Sequence, residues 1–130
     1  SVAAFLLKIA ELSSGSREPF DADAANRRIR MELSRTRSMP SAFNHSMIAG
    51  SIDLPLNAGD LSHKVLLIHG SEDPIISVNA ARKSAEVIPD AELVILKGVG
   101  HELPPKAMAS LGEHIRNFCL SASPDVAEDR

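Results

Sequence analysis

An α/β fold with a parallel sheet is predicted for the second half of this chain, on the strength of two apolar runs and the stripe between them. Residues 65–68 (Val-Leu-Leu-Ile) and 93–96 (Leu-Val-Ile-Leu) are apolar at every position. Strands without polar alternation are buried on both faces, the pattern of a parallel sheet covered by helices. Between the runs, Val78, Ala81, Ala85 and Ile88 recur at helical spacing, and Pro89-Asp90 stops the helix. Strand, helix and strand at this spacing form a βαβ unit with a right-handed crossover.

The remaining elements follow in chain order. Val2, Phe5, Leu6, Ile9 and Leu12 fall at helical spacing, which predicts an amphipathic helix ended by Ser13-Ser14-Gly15-Ser16. Lys8 interrupts this segment, and no basic stretch precedes it, so it does not read as a signal peptide. The chain opens at Ser1 directly into this apolar segment, and the expectation is a partial chain. Asp21 is a plausible N-cap for a second helix, with Asp23 adding negative charge to its first turn. Its apolar stripe is Ala22, Ala25, Ile29 and Leu33. Ser38-Met39-Pro40 restarts a helix in which Phe43 and Met47 share a face, and Gly50 stops it. Residues 51–63 carry turn formers and read as a connection. The last helix opens at Pro104-Pro105, with Met108, Leu111, Ile115 and Phe118 as its stripe. Residues 121–130 form a polar tail expected to be disordered. A two-stranded parallel sheet is not expected to stand alone. The strands are therefore expected to be the C-terminal part of a larger sheet.

Composition removes several function classes. The 130 residues carry a net charge of only -3, which asks for neither nucleic acid nor an anionic membrane as partner. Four Phe with no Trp or Tyr leave little for base stacking. Arg27, Arg28, Arg30, Arg35 and Arg37 read as a solvated helix face rather than a nucleic-acid contact. The single cysteine, Cys119, excludes an internal disulfide framework and suits a reducing, cytoplasmic compartment. It reads as a small packed hydrophobe. No apolar stretch approaches the ~20 residues that span a bilayer. The five histidines show no His-x-x-x-His spacing and no Cys/His cluster, so no metal is expected.

The chemistry gathers just past the two strands. The first runs into His69-Gly70-Ser71-Glu72-Asp73-Pro74 and the second into Gly98-Val99-Gly100-His101. In open α/β sheets, function collects outside the carboxyl ends of the strands. Adjacent parallel strands lie ~4.8 Å apart, so their exit loops can bring an Asp and a His into hydrogen-bond range. An Asp accepting from one ring nitrogen fixes the tautomer and leaves the other to take a proton from a nucleophile. Taken singly, Asp-Pro is often only a turn former and Gly-x-Gly-His a strand exit. Glu72 competes with Asp73 for the role of acid. Glu102 reads as a solvated or loop-orienting group, and His69 as structural or with a minor role near the site. His45, His63 and His114 read as surface residues.

In this order and spacing, the two loops resemble the C-terminal part of the α/β-hydrolase fold. In that family, a strand ending in a Gly-x-x-Asp-Pro-like turn carries the triad acid. A Gly-x-Gly-His-like loop one helix and one strand later carries the histidine. The resemblance spans residues 64–119 and implies Asp73 as acid and His101 as base, with no cofactor. Residues 1–60 then resemble the helical cap that many members insert over the site, with its connection back to the sheet. Residues 61–120 are the core portion. Members with serine chemistry carry Gly-x-Ser-x-Gly at a strand-to-helix elbow. This chain has no such motif, since neither Ser51 nor Ser71 fits it. The resemblance therefore implies a hydrolase of small ester-like or related acyl substrates whose nucleophile and oxyanion loop precede Ser1. Such a chain is expected to need that N-terminal half as its partner and to be inactive alone. Two alternatives stand: an interaction protein that kept part of the scaffold, or the same fold with dehalogenase, epoxide hydrolase or peptidase chemistry.

Overall fold

The computed structural model describes residues 1–38 and 57–122. The helix expected from Ser38-Met39-Pro40, together with His45, lies outside the described residues. Two compact units are formed, one by Ser1–Glu11 with Phe20–Leu56, the other by Leu12–Pro19 with Asn57–Arg130.

In the first unit, α1 (Val2–Ser13) appears where the periodicity placed it. Its buried side is rotated from the expected stripe. Ala10 is buried and Ala3, Leu6 and Leu7 are half-buried, while Val2, Phe5, Ile9 and Leu12 stay exposed. Periodicity identifies a helix, but which apolar row is covered depends on what packs against it. α2 (Ala22–Arg35) starts at Asp21, whose carboxylate accepts from the Ala24 N–H at 2.9 Å. This satisfies one of the N–H groups that a helix start leaves unpaired. Ala25 and Ile29 are buried, Arg27, Arg28, Arg30 and Arg35 lie exposed on the helix, and Arg37 lies exposed beyond its end.

The second unit holds the sheet. A 3-10 turn (Ala58–Asp60), capped by Asn57, leads to β1 (Val65–Gly70). α3 (Val78–Val87) follows, then β2 (Ala91–Leu96) and α4 (Pro105–Ala122). β1 and β2 pair in parallel, with Val65 opposite Ala91 and Gly70 opposite Leu96. The register fixes the site, because both strands end level and their exit loops leave side by side. α3 packs on both strands and α4 on β1. The half-buried row of α3 is Val78, Ala81 and Ala85, completed by buried Ile88 just past its end. The core is Leu96, Val99 and Ala107, with Ile68 and Val94 packed against it.

Several expectations need correction. The strands are half-buried rather than fully covered, with only Gly70 and Leu96 buried. Among the described residues each strand pairs only with the other, so their outer edges lack the neighbours that would complete burial. On α4 the covered row is Ala107, Leu111, His114 and Phe118, not the row through Met108 and Ile115, both of which are exposed. Ala107, packed against Val99 and Leu96, sets that rotation. His114 is thus half-buried and Cys119 exposed, each the reverse of the expectation. The helix also continues through Ala122, two residues into the expected tail.

Candidate active site

Asp73 and His101 sit where the two strands release the chain. The Asp73 loop is held to the end of β2 by the Ser71 N–H on Leu96 O at 3.0 Å, and to the histidine loop by the Glu72 N–H on Val99 O at 2.9 Å. The Ser71 hydroxyl accepts from the Gly98 N–H at 2.9 Å. Gly70 is required at the crossing point. A Cβ there would meet the carbonyl oxygens of Val99 and Gly100, and would lie 2.8 Å from Val99 C. Gly98 takes a positive φ of 73°, the left-handed region that glycine enters without steric cost.

Across this junction, Asp73 Oδ2 accepts from His101 Nδ1 at 2.8 Å. Oδ1 accepts from the backbone N–H groups of Ile75 at 2.8 Å and Ile76 at 2.9 Å. The carboxylate is 4% exposed, against 45% for the His101 side chain. Burial alone pushes the Asp73 carboxyl up. The Ile76 N–H, the His101 bond, the Ile75 N–H and the charge on His101 together outweigh it, and the pKa falls below its ordinary 3.8. Asp73 therefore stays ionised, and since a carboxylate only accepts, Nδ1 carries the shared proton and Nε2 is the ring nitrogen that Asp73 does not engage.

The other candidates separate cleanly. Glu72 does not reach His101; its carboxylate binds Ser16 instead. The Ser16 hydroxyl and Ser16 N–H hold its pKa below the ordinary value against a small opposing effect of burial. His69 stands beside the site. Its Nε2 donates to Ile76 O at 2.9 Å and lies 3.6 Å from Asp73 Oδ2. A carbonyl only accepts, so Nε2 carries the proton and the ring braces the turn that holds Asp73. Exposed Ile75, Ile76 and Leu103 flank the pair in sequence with apolar surface. The Glu102 N–H donates to Ser13 O at 3.1 Å. His63 is exposed. Sequence reading missed Ser16, which it treated as part of a helix stop. Its partner lies 56 positions away, a separation with no local signature. Among the described residues, no three His, Cys, Asp or Glu side chains gather as a metal site would need. Nor is any described helix long and apolar enough to cross a membrane.

Comparison with known proteins places the fold. BpoC of Mycobacterium tuberculosis H37Rv, described as a non-heme bromoperoxidase, shares the fold with a TM-score of 0.69 at 17% identity. The match covers 94% of this chain and 46% of that one. A variant of the meta-cleavage product hydrolase CumD gives a TM-score of 0.69 at 18% identity, covering 92% and 46%. At these identities the likeness is one of fold, and the chain spans about half the length of each structure. A search of curated protein sequences gives no significant match. A family model described as TAP-like protein matches residues 49–129, more than half of the chain. That match runs through both strands and both loops, and by it the chain belongs to the TAP-like family of α/β hydrolases.

Proposed function

We propose that this chain supplies the acid–base arm of a serine-type hydrolase acting on small ester-like or related acyl substrates. The observation that carries the reading is the 2.8 Å bond from His101 Nδ1 to Asp73 Oδ2, made by a buried carboxylate to a half-exposed imidazole. In the proposed reaction, a serine hydroxyl from the N-terminal half of the protein attacks the acyl carbon as His101 Nε2 takes its proton. Asp73 stabilises the imidazolium so formed. That imidazolium then protonates the leaving group as the acyl–oxygen bond breaks, giving an acyl-enzyme. Water, deprotonated by the same Nε2, attacks the acyl carbon, and the imidazolium gives that proton to the serine oxygen as the acyl–serine bond breaks and the acid is released.

The serine is placed outside this chain because no Gly-x-Ser-x-Gly occurs in it. The half-length match to hydrolase structures supports the same division. On this reading residues 1–60 are the cap portion and its connection, and the protein works in the cytoplasm without a cofactor. The test is hydrolysis of p-nitrophenyl acetate by the complete protein. His101→Ala is expected to lower kcat by about 10³-fold or more, within the range known for triad members. Activity retained within tenfold in that variant, with the chain folded, excludes His101 as the base.

A further inference from the structure

Glu72 stands next to the acid in sequence but turns away from the histidine. Its Oε2 accepts from the Ser16 N–H and its Oε1 from the Ser16 hydroxyl, both at 2.7 Å. Ser16 belongs to residues 13–17, a strap lying on the histidine loop. The Arg17 N–H donates to Gly98 O at 2.8 Å, and Ser13 O accepts from the Glu102 N–H at 3.1 Å. Between these two bonds the backbones touch. A Cβ on Gly15 would meet Gly98 O and lie 2.6 Å from Gly100 N, and one on Gly100 would lie 2.7 Å from Gly15 N. The strap therefore grips the chain before His101, at Gly98 and Gly100, and after it, at Glu102.

That grip adds to the bonds the acid loop makes to the same segment, from the Gly98 N–H to the Ser71 hydroxyl and from the Glu72 N–H to Val99 O. His101 is 45% exposed, so packing does not lock its rotamer. Two of the three residues before it are glycines, which have no side chain to hold the loop, so its position depends on backbone contacts of this kind. N–H and O–H bonds to a carboxylate are charge-assisted and short, well suited to holding a strap in place. We propose that Glu72 is a positioning residue, latching residues 13–17 onto the histidine loop so that the His101 imidazole stays aligned with Asp73. The acid loop then orients the base twice, through the ring by Asp73 and through the backbone by Glu72. This rests on the reading of His101 as the base.

The test uses the complete protein with p-nitrophenyl acetate as probe, and the His101 Nδ1–H proton resonance as a second readout. A misplacement of ~1 Å costs up to ~10²-fold in rate, so Glu72→Ala is expected to lower kcat about 10- to 100-fold with KM within about twofold. Its Nδ1–H resonance should broaden. In Glu72→Gln, Oε1 still accepts from the Ser16 N–H and Nε2 donates to the Ser16 oxygen. That variant should recover kcat to within about threefold of the unsubstituted protein and restore the sharp resonance. An unchanged kcat in Glu72→Ala overturns the proposal, as does an equal loss in Glu72→Gln. If the unsubstituted protein does not cleave the ester, the hydrolase reading fails and the resonance decides alone. Broadening in Glu72→Ala that Glu72→Gln reverses supports the latch, and equal line widths overturn it. Should Glu72→Ala not fold, Ser16→Ala, which removes only the hydroxyl, carries the same two readouts.

Discussion

Asp73 divides its two oxygens between two tasks. Oδ1 is spent on the Ile75 and Ile76 N–H groups, which fix the carboxylate in its own turn, and Oδ2 is left for His101. His69 closes the arrangement from the strand side by tying down Ile76 O. The same bonds predict a pH dependence. Because the folded-state pKa of Asp73 lies below its ordinary 3.8, its ionised form stabilises the fold, and that contribution is complete above about pH 5. It is lost as pH falls through the depressed folded-state value. Glu72 acts in the same direction through Ser16. Denaturant midpoints of the complete protein measured from pH 7 to pH 3 should fall steadily. Asp73→Asn should flatten that slope while lowering stability at pH 7. A slope unchanged by the substitution would show that Asp73 is not held by these bonds. At this scale the sequence was informative about residue types and poor at partners. It favoured Asp73 over Glu72 through the Asp-Pro motif, but nothing local announced that Glu72 would bind Ser16.

The elements around the site meet by backbone rather than by side chain. β1 ends at Gly70, the histidine loop passes directly over it, and residues 13–17 lie against that loop in turn. Three chain segments this close leave no room for a Cβ. Gly70→Ala should therefore destabilise the protein by roughly 1–3 kcal/mol, the usual cost of overpacking, because the obstructing atoms are carbonyl groups that cannot rotate away. Gly98→Ala should cost about 1–2 kcal/mol for its left-handed φ, and its Cβ would also sit 3.2 Å from Arg17 N. Gly112→Ala is the control. A Cβ there meets nothing within 4 Å, and replacing a helical glycine should stabilise by roughly 0.5–1 kcal/mol. Thermal melts of the three variants check this order. The sequence placed α1, α2, α3, both strands and α4 correctly because each carries its own periodicity. It misjudged the covered rows of α1 and α4. The choice between neighbouring apolar rows is made by whatever packs there, and no periodicity contains that information.

Across the whole molecule the described residues hold one corner of a sheet, with few of the neighbours such a sheet requires among them. Its described strands form one parallel pair, and Val2, Phe5, Ile9, Leu12, Met108 and Ile115 remain exposed. Isolated two-stranded pairing is marginal in water. The 130 residues expressed alone should give a broad thermal transition and concentration-dependent association. A sharp, concentration-independent melt would show that they are self-sufficient. The sequence by itself determined the α/β class, the parallel βαβ unit and the two residues at its strand ends. Each is written in short stretches whose apolar spacing or turn chemistry acts locally. Only the tertiary structure decided that Asp73 rather than Glu72 meets His101, that His69 braces the acid turn, and that residues 13–17 lie on the histidine loop. Those pairings join positions as distant in the chain as Ser13 and Glu102, and the two strand exits are brought level only when the strands pair in register.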